Sequence, residues 1–309
     1  MVDLDTFVIW LYVVVDDLCK TLEPERHPGP AGSLSRSEII TLAILSQWAL
    51  FGSERRFYQA AQRRLGWAFP TLPDRSRFNR LVRQHTAAIT RVALRLGSTV
   101  DATAVYEVMD STGVRVRNAQ RRGTGWLDGR ANLGRCTRLG WYVGFNLLTV
   151  ATPRGAITGF GFAPASTNDR HLADTLLAAR HRPEAVPLPS AGSAHGDAYL
   201  ADGNFWGPTW QNRWQTCYHA WVLAPPQLGT RFYATWSKEA RRWLASHRQV
   251  IETVHDWLLV PFNLDAERPH TLTGFAARLA ATVGLHNFCL WLNVQLGRPP
   301  LAVADLLAW

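Results

Sequence analysis

One seven-residue run, YEVMDST (Tyr106 to Thr112), constrains this chain more than any other stretch. It is short, apolar at its centre and reads as a buried strand that delivers a carboxylate, Asp110, followed by two hydroxyl residues. A segment crowded with arginine comes next. Two further carboxylates in recognisable settings, Asp202 and Glu252, lie downstream.

Charge indicates the kind of partner. The 309-residue chain carries a formal net charge of +9, and its cations are almost all arginine: the only lysines are Lys20 and Lys238. Arginine-favouring codons account for that choice but not for the clustering. Residues 54–95 hold ten arginines against Glu54 and Asp74, and residues 115–138 hold seven against Asp128. Guanidinium forks grip phosphates in a planar, bidentate way, so two concentrated basic surfaces point to nucleic acid. The four cysteines are scattered without a CxxC pair, as expected of reduced thiols in a cytosolic protein. The acidic N-terminus lacks the basic region of a cleavable signal. The apolar stretch Phe275 to Leu296 contains Arg278, His286, Asn287 and Asn293, which favours a core helix over a membrane span.

Residues 1–98 read as a helical, DNA-binding region. Asp3 to Leu22 is one apolar-rich helix, and Ser35 with Glu38 forms a capping box ahead of the next. After a further helix over 54–65, breaks at Pro70 and Pro73 precede a basic helix that Asp74 would cap, carrying Arg75, Arg77, Arg80 and Arg83. A break followed by a basic helix suits a helix-turn-helix reader; an ordinary bundle with a charged face fits equally. Gly97-Ser98-Thr99 marks the expected boundary.

Residues 99–309 read as an α/β domain with a mixed, ribonuclease H-like sheet and a C-terminal helix. WYVGFNLLTVA and AITGFGFAPA flank the turn TPRG as a hairpin. A helix opening at TNDR follows, then a strand ending at Asp202 and another at AWVLAPP. A long helix from about Thr235 to Leu258 has Trp236, Ala240, Trp243, His247, Ile251, Val254 and Leu258 as its expected buried stripe, with Glu252 at the margin beside Arg248.

Three carboxylates from a strand, a second strand end and a helix are tolerable together only with bound cations, and hard oxygen ligands select Mg²⁺, with Mn²⁺ able to substitute. Two such ions can activate a water or 3′-hydroxyl and stabilise the leaving oxygen at phosphorus. On spacing alone, a turn aspartate at Asp202 and a surface Glu252–Arg248 pair explain the same residues.

The blocks MDST, YVGFNLLTVATPRGAITGFGFAPASTNDRH, YLADGNF and HRQVIETVHDWL, in this order, resemble those of bacterial insertion-sequence transposases of the DDE type, and LSRSEIITLAIL and LPDRSRFNR resemble that family's N-terminal region. The resemblance implies Asp110, Asp202 and Glu252 as catalytic metal ligands, with Arg248 as the accompanying arginine. It further implies a double-stranded DNA substrate (element ends and target), strand transfer, a homodimer on DNA and a cytoplasmic, nucleoid-associated location. Two features depart from some relatives: Ala245 and Leu259 replace a tyrosine and a lysine near the helix glutamate, and Gly203-Asn204 replaces a basic residue after the second aspartate. Arg115, Arg117, Arg121, Arg122, Arg130, Arg135 and Arg138 follow the first carboxylate closely enough to hold flanking phosphates; Trp126 or Trp206 is a candidate stacking platform, although with fourteen tryptophans in the chain core packing is the default for any one of them. The rival readings are a ribonuclease H-like nuclease that cleaves without joining and a catalytically dead DNA-binding protein.

Overall fold

The computed structural model describes residues 1–23, 32–117, 126–181, 197–265 and 269–308. In chain order these form β1 (Val2–Asp3), α1 (Leu4–Lys20), α2 (Arg36–Leu45), α3 (Glu54–Arg64), α4 (Arg75–Gln84), α5 (Thr86–Val100), β2 (Glu107–Arg117), β3 (Asn132–Cys136), β4 (Gly140–Ala151) and β5 (Ile157–Pro164). Then come α6 (Asp169–His181), β6 (Ala198–Leu200), α7 (Pro208–Tyr218), β7 (Trp221–Leu223), α8 (Lys238–Leu259), α9 (Leu272–Gln295) and β8 (Leu307–Ala308).

Two compact units result. The first joins Met1–Leu96 to Leu258–Trp309, and the second is Gly97–Trp257. This differs from the expected division at the C-terminal end, where α9 packs against α2 and α4 and so lies with the N-terminal helices. Gly97, Ser98 and Thr99 form the last turn of α5 and are not a loop.

In the first unit, helix starts follow local chemistry. Ser35 caps α2 by accepting from the Glu38 amide, and the Glu38 carboxylate accepts from the Ser35 amide in return, so two otherwise orphaned donors are satisfied. Asp74, after the prolines, caps α4 by accepting from the Arg77 amide at 2.9 Å. Helix α9 is buried nearly all round, which explains its weak amphipathic pattern. Two of its amides donate inside the unit: Asn287 to the Ala93 carbonyl at 2.8 Å, and Asn293 to the carbonyls of Pro300 and Ala302. Among the described residues no helix is long and apolar enough to cross a membrane.

The second unit is built on a six-stranded mixed sheet of order β3-β4-β2-β6-β7, with β5 also paired to β4. Strands β2, β4 and β5 run antiparallel, whereas β6 joins β2 and β7 joins β6 in parallel. This is the expected ribonuclease H-like arrangement. Strand alternation sends Met109 of β2 into a core with Leu148, Tyr199, Phe205 and Trp214 beneath α6 and α7. At Gly144 a Cβ would lie 2.0 Å from the Val114 carbonyl oxygen, so the β2–β4 pairing tolerates no side chain there.

On the same face as Met109, Glu107 is fully buried and accepts from the Arg180 guanidinium of α6 at 2.6 Å; Arg180 also donates to Thr158 and lies over the Tyr199 ring. Removing one partner of a buried pair strands the other charge away from water. Glu107→Ala is therefore expected to destabilise the protein by roughly 3–5 kcal/mol. Asp174→Ala, which breaks the half-exposed Arg213–Asp174 pair, should cost no more than about 1 kcal/mol. Urea denaturation of the two variants checks both.

Candidate active site

The site begins with strand register. Strand β2 pairs with β6 in parallel only at Glu107↔Tyr199 and Val108↔Leu200. Asp110 and Asp202 each lie two residues past the second pair, so parallel register carries both carboxylates to the same sheet edge. There β6 has ended, while β2 continues against β4 through Asp110↔Thr149. A gap beyond the carboxyl end of one strand, beside a longer neighbour, is where open α/β sheets bind ligands.

Helix α8 crosses this edge. Arg248 reaches Asp110 with an N–O distance of 3.3 Å, both side chains being less than a fifth exposed. About two turns later His255 is buried, its Nε2 within 2.7 Å of the Thr149 hydroxyl, opposite Asp110 in the ladder. Positions 248, 252 and 255 fall within about 60° of one another on a helix. Glu252 thus occupies the turn between two residues pinned to the sheet, but its side chain is exposed. The expected buried stripe holds only over the C-terminal half of α8: Ile251, Val254 and Leu258 are buried, while Trp243 is 47% exposed and Leu244 takes the inner position. Trp243 instead packs on the His247 ring.

A second network supports the other side of Asp110. Ser111 donates to Asp169 at 2.8 Å, and Asn146 of β4 donates to the same oxygen at 2.7 Å. The start of α6 is thereby tied to β2 and β4. Asp169, in the first turn of α6, also suits a helix start as a charge; the sequence signal of its further role is Asn146, the one amide side chain in β4.

Burial pushes the Asp110 carboxyl up to about 7; the Arg248 guanidinium opposes this, and the charges of Asp202 and Asp169 add to it. Asp202 is also raised, again chiefly by burial, against the Asn204 amide that it accepts at 2.8 Å. His255 is driven down to about 3 by burial, with the cations Arg138 and Arg248 adding to the effect. The acids cluster where ionisation is unfavourable, a pattern typical of functional sites.

Residues 108–288 match a family model, the transposase DDE domain, which covers more than half of the chain. The protein belongs to the DDE transposase family. No curated protein and no solved structure matches it.

Members of this family generally use divalent metal ions. In this transposase, Asp110 and Asp202 offer hard oxygen donors whose raised pKa values an adjacent cation would relieve, so they fit such an ion. The third expected ligand is not brought in: among the described residues no three His, Cys, Asp or Glu side chains are gathered closely enough to hold a metal.

The expected DNA-contacting arginines fall in different places. Arg248 is at the site. Arg115 on β2 and Arg130 are exposed, and Arg138 donates to the Gly113 carbonyl at 2.6 Å. Arg135 lies over the Trp141 ring. Arg75, Arg77 and Arg80 are exposed on α4 in the first unit. Arg121 and Arg122 lie outside the described residues, as do the side chains of Arg117 and Trp126. Trp206 is partly buried against the core, with Phe232 beside it, so the structure uses it in packing.

Two opposite pH dependences follow. Asp110 titrates near 4 unfolded and near 7 folded, so the metal-free protein loses stability as pH rises through 7. Asp110→Asn should therefore melt above the parent in EDTA at pH 8, by at least about 2–4 °C, and the gain should vanish near pH 4. His255 binds a proton near 6.5 unfolded but only near 3 folded, so its contribution is lost as pH falls below 6.5. His255→Gln, which keeps a group able to reach Thr149, should flatten the stability loss between pH 6.5 and 4.5; melting curves at three pH values test both variants.

Proposed function

We propose that the protein binds the terminal inverted repeats of a mobile element and catalyses metal-dependent DNA cleavage and 3′-hydroxyl strand transfer. Asp110, Asp202 and Glu252 act as the catalytic carboxylates. The observation that carries this reading is the parallel register that sets Asp110 beside Asp202 at the open sheet edge, with the Arg248–Glu252–His255 stripe of α8 alongside.

On this reading the two aspartates and Glu252 hold Mg²⁺, or Mn²⁺ in its place. When bound, these ions would activate the attacking oxygen and stabilise the leaving one in an in-line displacement at phosphorus. Arg248 offsets part of the carboxylate charge and keeps Asp110 fixed on its strand. The Thr149–His255 contact fixes the helix that carries Glu252, and this carboxylate joins the two aspartates by turning its side chain. The network of Ser111, Asn146 and Asp169 holds the backbone after Asp110, as outer partners of metal ligands do. Arg75, Arg77, Arg80, Arg115, Arg117, Arg121, Arg122 and Arg130 contact DNA phosphates, and two element ends are joined by a homodimer in the cytoplasm, at the nucleoid. Cleavage alone would require the same carboxylates, so joining is the product that separates the transposase reaction from that of a nuclease.

The test is a strand-transfer assay on labelled element-end duplex with Mg²⁺ or Mn²⁺, comparing the parent with Asp202→Asn. Joining should fall more than about 100-fold in the variant, beyond the 10–100-fold typical of losing an outer partner, while DNA binding is retained. Cleavage without joining would replace this reading with the nuclease. DNA binding without chemistry would leave a DNA-binding protein with a dead site.

A further inference from the structure

The first unit contains a cleft of about 470 Å³ that is remote in sequence from the carboxylates. Its walls come from α3, α4 and the start of α9, and they contribute Arg55, Arg75, Arg83 and Arg278. The acid in the lining, Glu54, accepts from Arg75 at 3.1 Å and from Asn79, so its charge is already engaged. The lining is therefore net positive.

Backbone adds to this. Helices α3 and α9 both begin on the cleft wall, capped by Ser53 and Thr271, and each presents the positive end of its dipole there. The stem of Arg83 runs past Gly274 in the first turn of α9, where a Cβ would sit 3.9 Å from the Arg83 Cδ. Arg278 is anchored at its other side, donating to the Asn263 carbonyl at 2.5 Å. Cations from three helices thus converge with two helix starts on one space.

The cations do not stop at the cleft. Arg75, Phe78, Asn79, Val82 and Arg83 face it, whereas Arg77 and Arg80 stand roughly 140–200° round α4 from Arg75 and are exposed. A small anion would need only the enclosed charges. A ligand that also meets the outer face of α4 must be an extended polyanion.

We propose that this cleft seats a phosphate of the DNA backbone, with α9 as its third wall, and so contributes sequence-independent grip distinct from any base contact made by the outer face of α4. The inference rests on the DNA-substrate reading above but not on the carboxylate chemistry. Chain ends far apart in sequence, α3–α4 and α9, then form one DNA contact.

The test is fluorescence anisotropy of the full chain on two unrelated labelled duplexes, in EDTA, across a salt series. Each lost phosphate contact lowers the slope of log affinity against log salt by about 0.9. Arg83→Ala and Arg55→Ala should each flatten the slope by about that amount and weaken both duplexes equally; Arg83→Lys should restore the slope; and Arg63→Ala, outside the cleft lining, serves as the reference surface change. Arg55 is exposed, so its variant remains informative if Arg83→Ala melts early. Unchanged slopes in folded Arg83→Ala and Arg55→Ala would overturn the proposal while leaving the joining reaction untouched. Inorganic phosphate that raises the melting temperature of the parent but not of Arg83→Ala, with the DNA slope unaltered, would make the cleft a small-anion site and equally overturn it. A parent that binds no duplex would remove both this proposal and the DNA reading.

Discussion

Where the β2–β6 ladder stops determines the site. Strand β2 is paired along its length with β4 but along only two residues with β6. Were β6 longer, Asp202 would be a ladder residue; were β2 shorter, Asp110 would lie in a loop. The mismatch in length leaves one aspartate rigid within a strand and the other at the first free turn of its neighbour, where Asp202 accepts from the Asn204 amide. Parallel pairing lets the residues after the last β6 pair run alongside those of β2 in the same direction, so that Asp202 follows Leu200 as Asp110 follows Val108.

Placing carboxylates there has an electrostatic cost, and the neighbouring elements are arranged around it. Burial raises Asp110 and Asp202 together, and mutual repulsion adds to the effect at Asp110. Arg248 relieves part of this from α8, while the opposite face contributes hydrogen bonding through Ser111, Asn146 and Asp169 without adding a cation. The same arginine, with Arg138, helps keep His255 neutral, and the neutral ring can then contact Thr149 as an uncharged partner. Fixing α8 and tuning the carboxylates are thus consequences of a single set of charges.

Much of this was legible in the sequence, for identifiable reasons. The capping box at Ser35, the Asp74 cap, the β4–β5 hairpin and the strand carrying Asp110 are set by local chemistry and alternation. What failed to read depends on contacts distant in sequence. The membership of α9 is decided by packing against α2 and α4, and its nearly all-round burial erases the periodicity that would have oriented it. The exposed Trp243 broke the expected stripe because Leu244 takes the inner position at that turn of α8. Asp169 was legible as a helix-start acid, but its bonds to Ser111 and Asn146 join residues 58 and 23 positions away.

Glu252 shows how far helix geometry alone can assemble such a site. Its neighbours at 248 and 255 are both anchored to β2 and β4 side chains, which leaves α8 little freedom to slide or rotate without breaking one contact. The residue between them therefore has a determined backbone position and an undetermined side chain. Moving a glutamate between rotamers is a small cost, whereas bringing a third carboxylate to Asp110 and Asp202 would add to the ionisation cost that burial already imposes on both. An exposed Glu252 is what that balance predicts for the protein by itself. On the proposed reading, a cation that relieves the two aspartates would remove the repulsion and draw the third carboxylate inward.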